Sequence, residues 1–180
     1  DELVAALDEP AAARPAPDLG RRAFLPVDRV FTRTGFGVVI TGSLRSGALR
    51  EGDPVTLYPA GKAARVRGLQ MFGEQEAEAQ AGMRTAVNLA GLEADDVERG
   101  DVLATPGSLT PSDRVNVLLE LHEHTRVLKH RARVRVHLGT AEILARVLLW
   151  EGAEARPGTT AMAQLHLERP AVARRGDRFV

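Results

Sequence analysis

The chain contains no cysteine, so disulfide frameworks, cysteine-ligated zinc and thiol catalysis are all excluded. That agrees with a cytoplasmic setting. Aromatic residues make up only 4% of the sequence against 44% hydrophobic overall, so a core has to be built from Val, Leu and Ala. No apolar run approaches the roughly 18 residues of a membrane-spanning helix, and the start lacks the charged-then-apolar pattern of a signal peptide. There is no G-x-x-x-x-G-K-[ST] phosphate loop, and Ser43 and Ser46 lack a nucleophile elbow. The five histidines, His122, His124, His130, His137 and His166, lack metal-ligand spacing. No catalytic group, metal or cofactor is therefore expected in this chain, and the chemistry left to argue is recognition.

What the sequence does have is segregated charge. Its 24 basic and 24 acidic residues cancel. Yet Arg126, Lys129, Arg131, Arg133, Arg135 and Arg146 cluster with only Glu142 among them, while Glu74, Glu76, Glu78, Glu93, Asp95, Asp96 and Glu98 hold an acidic excess elsewhere. Such segregation suits a protein that turns one face to a polyanion. Ordinary solvated strand faces give the same pattern.

A length of 180 residues allows one large or two small domains, each able to bury a core. DELVAALDE reads as the end of an amphipathic helix, with Leu3, Val4 and Leu7 on one side and Pro10 stopping it. PAAARPAPDLG then reads as an extended Pro/Ala linker. From Arg22 the pattern changes to strands, expected at 23 to 31, 36 to 44, 54 to 58, 63 to 72, 84 to 91 and 101 to 104, with Gly, Pro and Asp turns between them. PGSLTPS, 106 to 112, is the best internal boundary. Beyond it RVNVLLELH, RARVRVHL, AEILARVLLW and TAMAQLHLER form a second strand set, and Phe179 and Val180 fall inside a last strand. Many short strands with little helix imply an all-β fold of two small antiparallel β-barrels in tandem, since closure removes exposed edges. The expected division is 1–21 for helix and linker, 22–108 for the first barrel and 109–180 for the second.

Within the first strand pair the sequence reads PVDRVF and then TGFGVVITG. These blocks resemble the second domain of the translational elongation GTPases, where the general factor, elongation factor Tu, reads roughly PVEDVF and TGRGTVATG. The resemblance continues in order through GDPVTLYPAGKAARVRGLQ, AGMRTAVNLAG, VERGDVLATPGSLTPSDRV, HRARVRVHLGTAEILARV and RRGDRFV, nearly the whole chain. Two departures are specific. Arg29 replaces the second of two adjacent acids, and Arg84 in AGMRTAV stands where the general factor has a neutral amide. Two arginines where the family holds the amino-acid end of its tRNA resemble the selenocysteine-specific elongation factors.

That resemblance implies a parent protein that delivers selenocysteyl-tRNA to the ribosome in a GTP-dependent manner. GTP and magnesium would belong to an upstream GTPase domain, of which the first helix is the end, and a C-terminal domain would read a selenocysteine-insertion mRNA hairpin. The implied aminoacyl pocket is Asp28, Arg29 and Arg84, with Asp28 either holding Arg29 in place or binding the esterified amino group. Arg33, Val39 and Gln70 fall near the seat of the terminal adenosine, with Gln70 replacing an acid. Arg131 matches an arginine that grips the tRNA backbone. Arg133, Arg135 and His137 extend along the same segment, and alternation is expected to put all four on one face, opposite Val134, Val136 and Leu138. Gly35 and Gly37 are expected to let their loop turn tightly. Other translational GTPases, a general elongation factor or an initiation-factor-2-like subunit, remain alternatives, as does a protein-docking module that never touches RNA.

Overall fold

The computed structural model describes residues 19–33 and 37–180. The expected helix, most of the linker and Gly35 lie outside them. The described residues form an all-β fold of two barrel-like units, with one 3-10 turn at Ala94–Asp96. In the first unit the strands are β1 (Phe24–Pro26), β2 (Arg29–Arg33), β3 (Gly37–Ser43), β4 (Ala48–Arg50), β5 (Pro54–Tyr58), β6 (Lys62–Met71), β7 (Glu74–Glu76), β8 (Glu78–Gln80), β9 (Arg84–Ala90) and β10 (Val102–Ala104). In the second they are β11 (Ser112–Glu120), β12 (Leu128–Lys129), β13 (Arg133–Leu138), β14 (Ala141–Leu149), β15 (Glu154–Ala155) and β16 (Thr160–Ala171).

The first sheet runs β1-β10-β5-β6-β9-β3-β2, with β7 added on β6 and a small β4-β8 pair beside it. Its two ends, β1 and β2, are consecutive in the chain, so the sheet curls back on itself. The single strand expected over 23 to 31 is interrupted for this reason. Val27 N–H bonds Asp101 O at 2.8 Å while Asp28 N–H bonds Thr41 O at 2.8 Å, so the segment passes its pairing from one neighbour to another. Inward residues such as Leu25, Ile40, Leu57, Val87 and Leu103 are fully enclosed and belong to one core. Gly42 is required by closeness at this point, because a Cβ there would lie 2.2 Å from Pro26 O. Gly37 opens β3 with φ of +79°, a conformation glycine adopts without strain.

The second sheet is four-stranded, in the order β11-β16-β14-β13. Its inward face carries Val117, Val136, Ile143, Val147 and Leu165. Leu138 bridges to Phe179, and His137 and Val180 exchange backbone hydrogen bonds of 2.7 and 3.1 Å, so the last two residues extend this sheet beside β13. A smaller apolar cluster of Phe24, Tyr58, Val102, Ala104 and Val172 joins the two units. Arg174 stacks over the Phe24 ring at 3.6 Å and donates to Ser46 Oγ at 3.0 Å. Arg169 reaches Glu98 at 2.6 Å. Apolar contact and charge thus both hold the joint.

Candidate functional site

Register in the first sheet assembles a polar face from four strands. Arg29 lies opposite Thr41, Thr41 opposite Ala86, and Ala86 opposite Gln70. One step along, Phe31, Val39, Asn88 and Gly68 form a parallel row. Their neighbours Val38, Ile40, Val87 and Leu89 point into the core, which fixes which face these rows occupy. Ser43 pairs with Arg84 at the end of the same face.

Asp28 is the hub. Its carboxylate accepts from Arg84 Nε at 3.1 Å and Arg84 Nη2 at 3.0 Å, and from the Thr41 hydroxyl at 2.5 Å. Arg84 Nη2 also reaches Thr41 Oγ1 at 3.4 Å. The Arg84 hydrogen bonds, with help from Thr41 and the positive charge of Arg29, hold the Asp28 carboxyl below its ordinary value against the opposing effect of partial burial. Arg84 is held charged mainly by its hydrogen bonds to Asp28. The expectation that Asp28 holds Arg29 is therefore corrected, because its hydrogen-bonded partner is Arg84, 56 residues away in sequence. The reason is the interruption before β2, which sets the carboxylate beside Thr41 and within reach of the start of β9. Arg29 is exposed and forms no ion pair among the described residues.

Next to this hub the two rows enclose a groove of about 320 Å³ lined by Phe31, Val39, Arg67, Gly68, Gln70, Gln75, Ala86 and Asn88. Val39 and Gln70 share it. Arg33 closes β2 opposite Gly37, and nothing is described of its side chain. Asn88 Oδ1 is buried with no hydrogen-bond donor. Sequence reasoning missed Phe31, Thr41, Arg67, Gln75 and Asn88. Alternation in β2 and β3 would have flagged Phe31 and Thr41, but the remainder depend on the pairing of β6 with β9.

In the second unit the basic segment only partly follows the expected pattern. Arg133, Arg135 and His137 are exposed on one face of β13. Arg131 is not on that face. It sits in the turn before β13 with φ of +65°, its N–H bonded to Val147 O at 2.7 Å, and a left-handed residue breaks the alternation counted from it. The positive charge is also less free than the sequence suggested. Arg133 grips Glu168 through two hydrogen bonds of 2.6 and 2.8 Å, and Arg135 pairs with Glu142 at 3.3 Å. Among the described residues no cluster of His, Asp or Glu is arranged to hold a metal ion.

Comparison with known proteins matches this architecture in two pieces. Residues 37–104 match the family "Elongation factor Tu domain 2" and residues 112–180 match "Selenocysteine-specific elongation factor, beta-barrel domain". A selenocysteine-specific elongation factor of Desulfomicrobium baculatum is 46% identical over 167 residues, covering 92% of this chain and 26% of that protein. The chain belongs to the selenocysteine-specific elongation factors. Elongation factor Tu 2 of Streptomyces avermitilis is 39% identical over 150 residues, 81% of this chain and 38% of that protein. The chain thus spans about a quarter of the first relative and well under half of the second.

Proposed function

We propose that this chain is the tRNA-holding barrel pair of a factor that delivers selenocysteyl-tRNA to the ribosome, divided near 106 to 112 into barrels of 22–108 and 109–180. The observation that carries the proposal is the Asp28–Arg84 pair with Arg29 on the same face, at the rim of the groove. A selenol is more acidic than a thiol and is largely an anion at neutral pH, whereas the hydroxyl of serine is not. Asp28 engages Nε and Nη2 of Arg84, so Arg84 is oriented while its remaining N–H donors stay available. Together with Arg29 they offer a selenolate two weakly hydrated cations with fixed donors. One charge-assisted hydrogen bond contributes roughly 1.5 to 3 kcal/mol, or about ten- to a hundredfold in affinity.

The groove suits the terminal nucleoside of the same tRNA. Phe31 and Val39 offer apolar contact, Gln70 and Gln75 offer amides, and Asn88 Oδ1 would accept from a base amino group. On the second barrel Arg133, Arg135 and His137 would meet the tRNA backbone; Arg131 stands apart from them in its turn. GTP and its magnesium do not fit the residues present, since the sequence has no phosphate loop. They would be held by another part of the parent protein. The pairing of Arg133 and Arg135 with Glu168 and Glu142 favours, as a second reading, a barrel that docks on protein instead.

The test uses the full-length parent. Arg84→Gln or Arg29→Gln should weaken selenocysteyl-tRNA binding by roughly 1.5 to 3 kcal/mol and leave seryl-tRNA nearly unchanged. The preference should also decline as pH falls through the selenol's titration. Equal losses for both tRNAs, or a preference indifferent to pH, would remove the selenium-reading role.

A further inference from the structure

One end of the second sheet's outer face is apolar. Leu118 is opposite Met162 in register, and Trp150 N–H bonds Met162 O at 3.1 Å, so three large apolar residues from neighbouring segments stand in one lateral row. Their chain neighbours Val117, Leu149 and Ala163 belong to the core, which puts the row on the opposite, outer face. Leu118 is 62% exposed, Trp150 57% and Met162 42%, and Leu148 adds a half-buried side chain two residues before the tryptophan. Single exposed hydrophobics are ordinary, but a contiguous group points to a surface that a partner covers.

Beside the row opens a groove of about 490 Å³, which Glu151, Glu154 and Arg156 line together with Leu118, Trp150 and Met162. Glu120 ends β11 two residues beyond Leu118, on the same face. Three carboxylates therefore border the row and its groove against one guanidinium, which lies 4.0 Å from Glu154. Lys129 also stands opposite Glu154, whereas Glu120 and Glu151 form no ion pair among the described residues. The surplus negative charge repels a phosphate backbone, so nucleic acid is a poor occupant. It also disfavours a second copy of the chain, since a twofold contact would bring two of these acidic rims together. A partner with positive charge around an apolar centre complements both parts of the surface.

We propose that the Leu118–Met162–Trp150 row and its groove dock a protein segment that presents large apolar side chains flanked by lysine or arginine. Trp150, the one tryptophan of the chain, is the anchor. Its indole N–H makes no hydrogen bond among the described residues, which leaves it free to donate to a carbonyl of the partner. The Met162 thioether adapts its shape to an inserted apolar side chain. Glu120 and Glu151 meet the basic residues at the rim, where exposed pairs set orientation and association rate more than affinity. The proposal does not depend on the tRNA reading, whose residues lie in the first unit and along β13.

The experiment titrates the 180-residue chain with a short amphipathic peptide of leucine and lysine, followed by Trp150 emission, which reports this surface alone. Binding should shift the emission to the blue, and a matching peptide of leucine and glutamate should bind at least about tenfold more weakly. Leu118→Ser should weaken the lysine peptide by about tenfold or more. The Glu120→Gln, Glu151→Gln double variant should narrow the preference between the two peptides. Unchanged affinity in Leu118→Ser with wild-type thermal unfolding would overturn the proposal, as would equal binding of both peptides. A dimer in sedimentation that Leu118→Ser dissolves would overturn it in favour of a second copy. Protection of Trp150 and Met162 from hydroxyl-radical oxidation in the full-length protein alone would do so in favour of another part of the parent.

Discussion

Arg84 and Asp28 meet side by side, Nε and Nη2 of the guanidinium on the two carboxylate oxygens at 3.1 and 3.0 Å, although the residues come from opposite ends of the first sheet's sequence. This pair links the interrupted segment before β2 to the start of β9. Its energetic worth to the fold is small because Arg84 is more than half exposed, its side-chain accessibility being 55%. Surface pairs of this kind contribute less than about 1 kcal/mol. The pair is better understood as orienting Arg84 than as stabilising the barrel.

A pH dependence follows from the sign of the shift. The folded-state pKa of Asp28 is lowered below its ordinary 3.8, chiefly by the hydrogen bonds from Arg84. The stability it contributes is therefore fully present above that ordinary value and is lost as pH falls through the folded value. Urea unfolding should show Asp28→Asn slightly less stable than wild type, by under about 1 kcal/mol, at neutral pH. The two curves should converge in acid. A constant gap down to strongly acidic pH would mean that the loss comes from packing and not from the ion pair.

Asp101 carries the opposite shift and predicts the opposite outcome. It is buried, and removal from water, reinforced by the nearby Glu98 carboxylate, raises its pKa above 3.8 in spite of a hydrogen bond from the Glu98 N–H at 2.9 Å. Folding thus favours the protonated form, and stability declines as pH rises from 3.8 through the folded value. An amide oxygen accepts the same N–H without the charge. Asp101→Asn should raise neutral-pH stability by about 0.5 to 1 kcal/mol, with the gain vanishing in acid, as measured by paired denaturation curves.

The sequence made the strands of both units legible because inward Val and Leu alternate clearly in 37–43, 54–58 and 141–149. It made Asp28 and Arg84 legible only as members of one implied pocket and not as a hydrogen-bonded pair. That they touch depends on Asp28 leaving one strand partner for another, which no local pattern encodes. Arg131 was misplaced for a related reason, since a single left-handed residue resets the face count of everything before it. Short strands such as Leu128–Lys129 and Glu154–Ala155 pair only with each other and carry too few residues for a period to be seen.

Asn88 gives the sharpest contrast between stability and binding. Its Oδ1 is buried without a donor, and an unpaired buried acceptor costs about 1 to 3 kcal/mol. It lies across from Val39 and Gly68 on the wall of the groove. A residue kept there only for the fold would do better as leucine, which has a similar volume and no polar atom. Asn88→Leu should leave the chain equally or more stable to heat. In the full-length protein it should weaken binding of tRNA bearing its 3′-terminal adenosine, and change binding of the same tRNA trimmed of that nucleotide very little. Thermal unfolding and paired binding titrations provide the two readouts. Equal weakening for the intact and trimmed tRNA would dissociate Asn88 from the terminal base, and a marked loss of stability would mean that the amide serves the barrel itself.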